Sequence, residues 1–338
     1  MTGPPAVPRR RHTSRIRPVL TGLAVSILLV LGLAELLARL TFGDAHLRDL
    51  LQFDPADGRC VALRPGQRVP YTGWFFRIPA VEHDVNEYGF RGPPVPPERS
   101  PAPRIAVLGD SFAFGVGVGP DDTIPVRLAQ AIRAETGRDV EVLNFGVPGL
   151  NAEEVADQFV RFASRWSPDL VLYLPFGNDL DQGMCGPMRS VFVGSGLGAA
   201  LRTSRLASAV FLLLLQQVGH NEGARRTMDD PGAVARFMAA VERLRSAAVG
   251  EHARLGIVNL GWPVAASMEP ELRQALREAD IPVLDVSQIV TNGRYKIPKE
   301  NHLNPEGCRT VADAVAHWLG EEDAFRSLLA ASREPRER

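Results

Sequence analysis

The feature that most constrains this chain is a series of five short, nearly continuous apolar runs separated by helix-like stretches. Ile105–Leu108 closes on Gly109 and Val140–Leu143 closes on Asn144; Leu170–Leu174, Leu255–Leu260 and Ile281–Val286 follow. Runs rich in β-branched residues, without polar alternation, suit strands buried on both faces of a parallel sheet. Between them, Ile124–Thr136 stops at Gly137. Ala152–Trp166 follows Asn151, and Glu154 makes an approximate capping box. Ala233–Val249, Pro270–Glu278 and Pro305–Leu319 complete the set, the last with Asn304 as cap and Pro305 at the first helical position. This alternation predicts an α/β fold, a three-layer α/β/α sandwich around a five-stranded parallel sheet, over residues 104–320. Right-handed crossovers then place ligands at the carboxyl ends of the strands.

The rest of the chain is organised around that domain. Arg9, Arg10, Arg11, Arg15 and Arg17 form a basic tail over residues 1–17, with no acidic residue among them. The apolar run Val19–Ala34 covers roughly 24 Å as a helix, and Leu36, Leu37, Ala38 and Leu40 extend it toward the roughly 30 Å of a hydrocarbon core. Residues 18–42 are therefore expected to be a transmembrane anchor, or an uncleaved signal, with Glu35 and Arg39 near the far interface. Leading positive charge predicts a cytoplasmic N-terminus, a single pass through the cell (inner) membrane and a periplasmic or otherwise extracytoplasmic remainder. A cleaved signal peptide, with Gly32 and Ala34 as a small-x-small site, is the rival reading and exports the same domain. Cys60 is the first cysteine, too far along for a lipid-modified anchor.

Residues 43–103 read as an extracytoplasmic stem or lead-in, ending in the Pro-rich link Gly92–Pro103; Asn86–Arg91 is expected to pack on the domain. Residues 182–230 interrupt the strand–helix alternation as an insertion. Its apolar run Leu206–Leu215 is too short to span a bilayer and suits either a helix packed on the domain or a cap beside the active site. Residues 321–338 read as a C-terminal tail. With 38 basic and 39 acidic side chains, no global field recruits nucleic acid. Three cysteines, Cys60, Cys185 and Cys308, make no disulfide framework and no zinc spacing. One bridge or three buried thiols both remain open.

Chemistry concentrates in four segments. Gly109-Asp110-Ser111-Phe112 follows the first strand, so the Ser111 hydroxyl enters a turn where substrate would bind, and Asp110 can brace that turn. The second strand ends in Asn144-Phe-Gly146-Val-Pro-Gly149, and the third runs into Phe176-Gly177-Asn178-Asp179. Both put Gly or Asn where an N–H or amide can meet a developing oxyanion. Glu300-Asn301-His302-Leu303-Asn304-Pro305 follows the fifth strand and supplies an imidazole with a carboxylate two residues away.

These blocks, in this order, resemble those of the GDSL/SGNH hydrolase superfamily. The lead-in N-x-x-G-F-R (Asn86–Arg91) and H-L-N-P-x-G (His302–Gly307) are also similar to membrane-anchored bacterial members. The resemblance runs from Asn86 to Leu319. It implies a flavodoxin-like sheet and a serine esterase acting through an acyl-enzyme, without metal or other cofactor. It also implies Ser111 as nucleophile, His302 as general base, and the N–H groups of Ser111 and Gly149 with the Asn178 amide as oxyanion hole. The family usually has Asp two or three residues before this His; here those positions hold Glu300 and Lys299, so Glu300 is the candidate to orient His302, with a Ser–His dyad still open. Phe176 stands where the third block often has Gly and is expected to narrow the pocket. The roles are chemically complete: a neutral Ser needs a base, the base needs a partner that fixes its tautomer, and the oxyanion needs donors.

The substrate class implied is an O-acyl ester, most simply acetyl, on envelope polysaccharide; a lipid ester or thioester, or acyl transfer to a sugar acceptor, uses the same residues. A non-catalytic glycan-binding envelope protein is the alternative of another class. Gly115–Gly119 is spaced G-x-G-x-G and predicts a turn beside Ser111 rather than a nucleotide cofactor site. His83-Asp84 reads as surface, and Asp285 as a structural hydrogen-bonding group rather than the triad acid. Trp74, Phe75 and Phe76 read as a hydrophobic latch or a sugar platform.

Overall fold

The computed structural model describes residues 16–42, 51–53, 60–71, 81–177, 179–180, 204, 206–207, 210, 230–298 and 300–330. Trp74, Phe75, Phe76, Cys185, Asn178, Lys299, the arginines at 9–15 and most of the insertion lie outside the described residues.

Five parallel strands form the sheet: β5 (Arg104–Gly109), β6 (Glu141–Asn144), β7 (Leu170–Leu174), β8 (Arg254–Asn259) and β9 (Val283–Asp285), in the order β6-β5-β7-β8-β9. Alternate side chains enter different cores, which is why the runs are apolar at nearly every position. In β5, Ala106 and Leu108 face one cluster while Ile105 and Val107 face the other. Tyr173 and Val171 of β7 divide from Leu170, Leu172 and Leu174 in the same way. The first cluster is covered by α4 (Ala152–Arg161), α5 (Ala233–Gly250) and α6 (Glu269–Glu278), through Phe159, Phe237 and Leu272. The second is covered by α3 (Ile124–Thr136), the short α7 (Ser287–Thr291) and α8 (Pro305–Glu321), through Leu128, Ile132, Val290, Val311 and Val315. The expected three-layer sandwich is thus present. At the sheet edge, β9 is only partly buried, so burial on both faces holds for the inner strands.

Local signals set the helix ends. The Asn151 carboxamide accepts from the Glu154 N–H at 2.9 Å, and Glu154 accepts from the Asn151 N–H at 3.0 Å, a complete capping box. The α-helix stops at Arg161, and the remainder of the expected stretch is a 3₁₀ turn, Ala163–Trp166.

The structure extends the lead-in's packing and moves one expected boundary. The lead-in packs on the domain over more than the expected Asn86–Arg91. Its ribbons β1 (Leu51–Phe53) with β2 (Cys60–Leu63) and β3 (Arg68–Tyr71) with β4 (Val81–Asp84) precede buried residues of the main core, and Ala62, Leu63, Val85 and Phe90 belong to that core. The Pro-rich link is strapped down by buried Arg104, whose guanidinium donates to the carbonyls of Pro96, Pro97 and Glu98 at 2.9, 2.9 and 2.5 Å. Finally, the domain continues past residue 320 as α9 (Asp323–Ala330), whose buried Phe325 packs edge-on against Trp318 at 5.1 Å between ring centres.

The helix α1 (Ile16–Phe42) is 27 residues long, and its segment Pro18–Leu40, of mean hydropathy 2.3, is long and apolar enough to cross a membrane. Its apolar side chains are exposed, Leu28 and Leu29 among them, unlike those of a core helix. Glu35 pairs with Arg39 at 2.8 Å and also accepts from the Ser204 hydroxyl at 2.8 Å and the Leu206 N–H at 2.9 Å. Among the described cysteines, Cys308 is a free thiol, buried on α8 and pushed up to about 12 by that burial.

If α9 belongs to the hydrophobic core, Phe325→Ala lowers the unfolding free energy by about 3–5 kcal/mol in denaturant titration, and a negligible change would place it outside that core.

Candidate active site

Strand β5 delivers the first block to the carboxyl edge of the sheet. Gly109 turns the chain there at φ 151°, and a Cβ on it would lie 2.9 Å from the Leu174 carbonyl oxygen. Asp110, buried, then caps the short helix α2 (Ser111–Phe114) by accepting from the Phe112 N–H at 2.9 Å. Gly115, at φ 84°, ends it. The second block packs directly against this helix: a Cβ on Gly146 would fall 2.1 Å from the Phe114 nitrogen, so only glycine fits. Asn144 organises the contact, its amide donating to the Phe114 carbonyl at 3.2 Å while its oxygen accepts from the Gly146 N–H at 3.0 Å.

The imidazole arrives from the far end of the chain. The loop carrying His302 is closed by its backbone: the Ile297 N–H donates to the His302 carbonyl at 2.9 Å and the Glu300 N–H to the Ile297 carbonyl at 3.0 Å. Asn304 caps α8 through the Gly307 N–H at 2.8 Å and donates to the carbonyls of Arg294 and Lys296 at 2.8 and 3.1 Å. Phe112 lies beside the ring, 5.2 Å from it centre to centre, and Phe176 lies 4.3 Å from Phe112.

The outcome is a hydrogen-bonded line. Ser111 Oγ stands 2.9 Å from His302 Nε2, and His302 Nδ1 stands 2.9 Å from Glu300 Oε2. A carboxylate only accepts, so Nδ1 carries the hydrogen and Nε2 is left bare to accept from the serine hydroxyl. Asp110 Oδ2 is a second, more distant acceptor for that hydroxyl at 3.4 Å. The hydrogen bond from His302 holds the Glu300 carboxyl below its usual range, with partial burial opposing. Both side chains are mostly covered, at 20% and 14% exposure for His302 and Glu300, which strengthens their interaction. This geometry can move a proton from Ser111 to His302 while Glu300 keeps the ring oriented.

The other expected residues fall around this line. Gly149, at φ 83°, lies in the turn after Val147, whose N–H bonds to the Gly109 carbonyl at 3.0 Å, so the second block reaches the same edge as Ser111. Asn178 lies outside the described residues. Its neighbours are anchored: Asp179 accepts from the Phe176 N–H at 3.1 Å and from the hydroxyl of buried Tyr173. Burial first, and Asp179 second, keep that phenol protonated by pushing it well above its ordinary value. Asp285 accepts from the Ser287 N–H at 3.0 Å and pairs with Arg273, a structural role as expected. His83, expected at the surface, is instead fully buried, stacks on Phe114 at 5.3 Å and accepts from the Gly117 N–H at 3.2 Å. Arg91 also reaches this loop; the N-x-x-G-F-R pattern was visible in the sequence, but no contact for its arginine could be read there.

A parallel α/β sheet carrying Ser, His and carboxylate side chains in line at its carboxyl edge defines a hydrolase-type site. The sequence matches the GDSL-like Lipase/Acylhydrolase family over residues 107–310, and the chain belongs to that family. Membership implies esterase or acylhydrolase activity. Among solved structures it is similar to the psychrotrophic esterase EstA from Pseudoalteromonas sp., with 12% identity over 64% of this chain and 99% of that one, TM-score 0.43. It is also similar to a Clostridium thermocellum family 3 carbohydrate esterase (15% identity, 68% of this chain, 99% of that one, TM-score 0.41) and to the lipase/acylhydrolase from Enterococcus faecalis (14%, 64%, 95%, 0.41). No curated protein matches the sequence.

Because Glu300 titrates lower in the folded chain than its unfolded value of about 4.3, its contribution is complete above that pH and is lost as pH falls through the folded value. The Tm difference between wild type and Glu300→Gln is therefore constant above about pH 5 and narrows in more acid solution. A gap that widens on acidification would reverse the sign.

Proposed function

We propose that this chain is a membrane-tethered, extracytoplasmic serine esterase that hydrolyses O-acyl esters, acetyl above all, on envelope polysaccharide. The observation that carries the reading is the continuous Ser111–His302–Glu300 line, each contact 2.9 Å. Ser111 attacks the acyl carbon as His302 takes its proton, and the tetrahedral oxyanion rests on the N–H groups of Ser111 and Gly149 and the Asn178 amide. Collapse expels the alcohol, which takes its proton from His302. A water, deprotonated by the same imidazole, then releases the acid and restores Ser111. Glu300 stays ionised throughout and stabilises the transient imidazolium.

Tethering rests on the exposed apolar helix α1 and the arginines before it, which orient the catalytic domain to the outer side of the membrane. Preference for a short acyl group rests on Phe176, whose ring packs on Phe112 beside the nucleophile. A second reading, a lipid ester as substrate, is favoured by one contact: the insertion meets helix α1, where the Ser204 hydroxyl and the Leu206 N–H donate to Glu35.

Purified protein should turn over p-nitrophenyl acetate and release acetate from acetylated xylan, falling off with longer acyl chains, and Ser111→Ala should abolish all of it. Asn178→Ala should lower kcat by about 10²–10³-fold. Long-chain preference would favour the lipid reading, and turnover by Ser111→Ala equal to wild type would defeat the nucleophile assignment.

A further inference from the structure

The fully buried guanidinium of Arg91 lies in a part of the chain that the proposed reaction does not use. Its Nη1 donates to the carbonyls of Phe114 at 3.0 Å and Gly115 at 2.5 Å, its Nη2 donates to that of Val118 at 2.6 Å, and its charge sits 4.8 Å from the Phe114 ring centre. The first two of these carbonyls have a particular place. They belong to the peptide units whose N–H groups, on Gly115 and Val116, both donate to the Ser111 carbonyl at 3.0 Å. The Ser111 carbonyl in turn shares its peptide unit with the Phe112 N–H, which donates to Asp110 Oδ1 at 2.9 Å. A chain of hydrogen bonds therefore runs from a buried cation, through two layers of peptide groups, to a buried carboxylate. The peptide bond that follows the nucleophile is in its middle. Asn144 adds a donor to the same Phe114 carbonyl at 3.2 Å.

We infer that Arg91 is a positioning residue for the nucleophile: through this relay its guanidinium fixes the short helix on which Ser111 meets His302. The inference rests on the reading of Ser111 as the nucleophile. Each peptide unit in the relay is polarised in the same sense, donor toward Asp110 and acceptor toward Arg91, so the bonds reinforce one another away from water. Only a forked, planar cation reaches three carbonyls at once; a lysine ammonium in the same space supplies charge without the fork. The N-x-x-G-F-R segment is built to deliver it. Asn86 accepts from the Tyr88 and Phe90 N–H groups at 3.0 and 3.3 Å, Gly89 turns at φ 89° close under the Leu63 carbonyl, and Phe90 anchors the turn in the core. Burial lowers the guanidinium to about 10, leaving it charged near neutrality.

The test uses the full-length protein in detergent and the rate of labelling by a fluorophosphonate probe, expressed per site titrated to completion. Wild type, Arg91→Gln, Arg91→Lys and His83→Gln are compared, each with its Tm and its KM for p-nitrophenyl acetate. The expected result is a fall of about 10-fold to 10²-fold in the per-site rate for Arg91→Gln, partial recovery in Arg91→Lys, and KM unchanged. His83→Gln, which loosens the same loop off the relay, should lower Tm and leave the per-site rate as it was. Equal per-site rates for wild type and Arg91→Gln would overturn the inference, whatever the change in Tm. So would an equal loss in His83→Gln, or failure of both Arg91 variants to unfold cooperatively, since either assigns Arg91 to the fold. An unlabelled wild type would instead defeat the Ser111 assignment itself, and this inference with it.

Discussion

The structure depends on one long-range contact, the 2.9 Å approach of Ser111 Oγ to His302 Nε2 across 191 positions of sequence. Neither residue could hold that distance from a mobile loop. Each is therefore set at the end of a rigid element and tied down from several sides. Ser111 begins a helix pinned between a strand end and the glycine of the neighbouring block. His302 closes a loop stitched by backbone bonds and locked by the cap of α8, where a Cβ on Gly307 would come within 2.5 Å of the Tyr295 carbonyl. The parallel sheet supplies the common edge on which both can meet.

Close packing does the positioning. Gly146 touches the backbone of α2, and Asn144 bonds both to that helix and to its own turn, so the second block fixes the first. The lead-in reaches the same place from the opposite side, where Arg91 bonds to the carbonyls that follow the nucleophile and His83 packs beside that loop. The site is thus held in part by Arg91, which comes from before the sheet begins.

Most of the sheet and its helices was legible in the sequence because the signals are local. Strands buried on both faces must be apolar at successive positions, and Gly137, Asn151 and Asn304 mark helix ends by their own hydrogen bonds. The four blocks were legible because three follow strand ends and the fourth precedes a capped helix, each with residues of recognisable chemical use. Packing of Asn86–Arg91 was expected, but Ala62, Leu63 and Val85 follow no period; their burial comes from a core built by later residues. His83 was misplaced for a related reason, since a histidine beside an aspartate looks solvated until Phe114 and Gly117 are seen around it. The helix α9 was assigned to the tail because its eight residues are too few for the i, i+3, i+4 spacing of Phe325, Leu328 and Leu329 to stand out beside the charged residues that follow.

The claim on which the account turns is that the serine hydroxyl becomes acylated. Mass spectrometry of wild-type protein quenched in acid during turnover of p-nitrophenyl acetate measures this directly. The account predicts a transient gain of one acetyl group confined to the peptide that contains Ser111, absent in Ser111→Ala. Sustained turnover with no acetyl on that peptide, or with acetyl on another side chain, would contradict it.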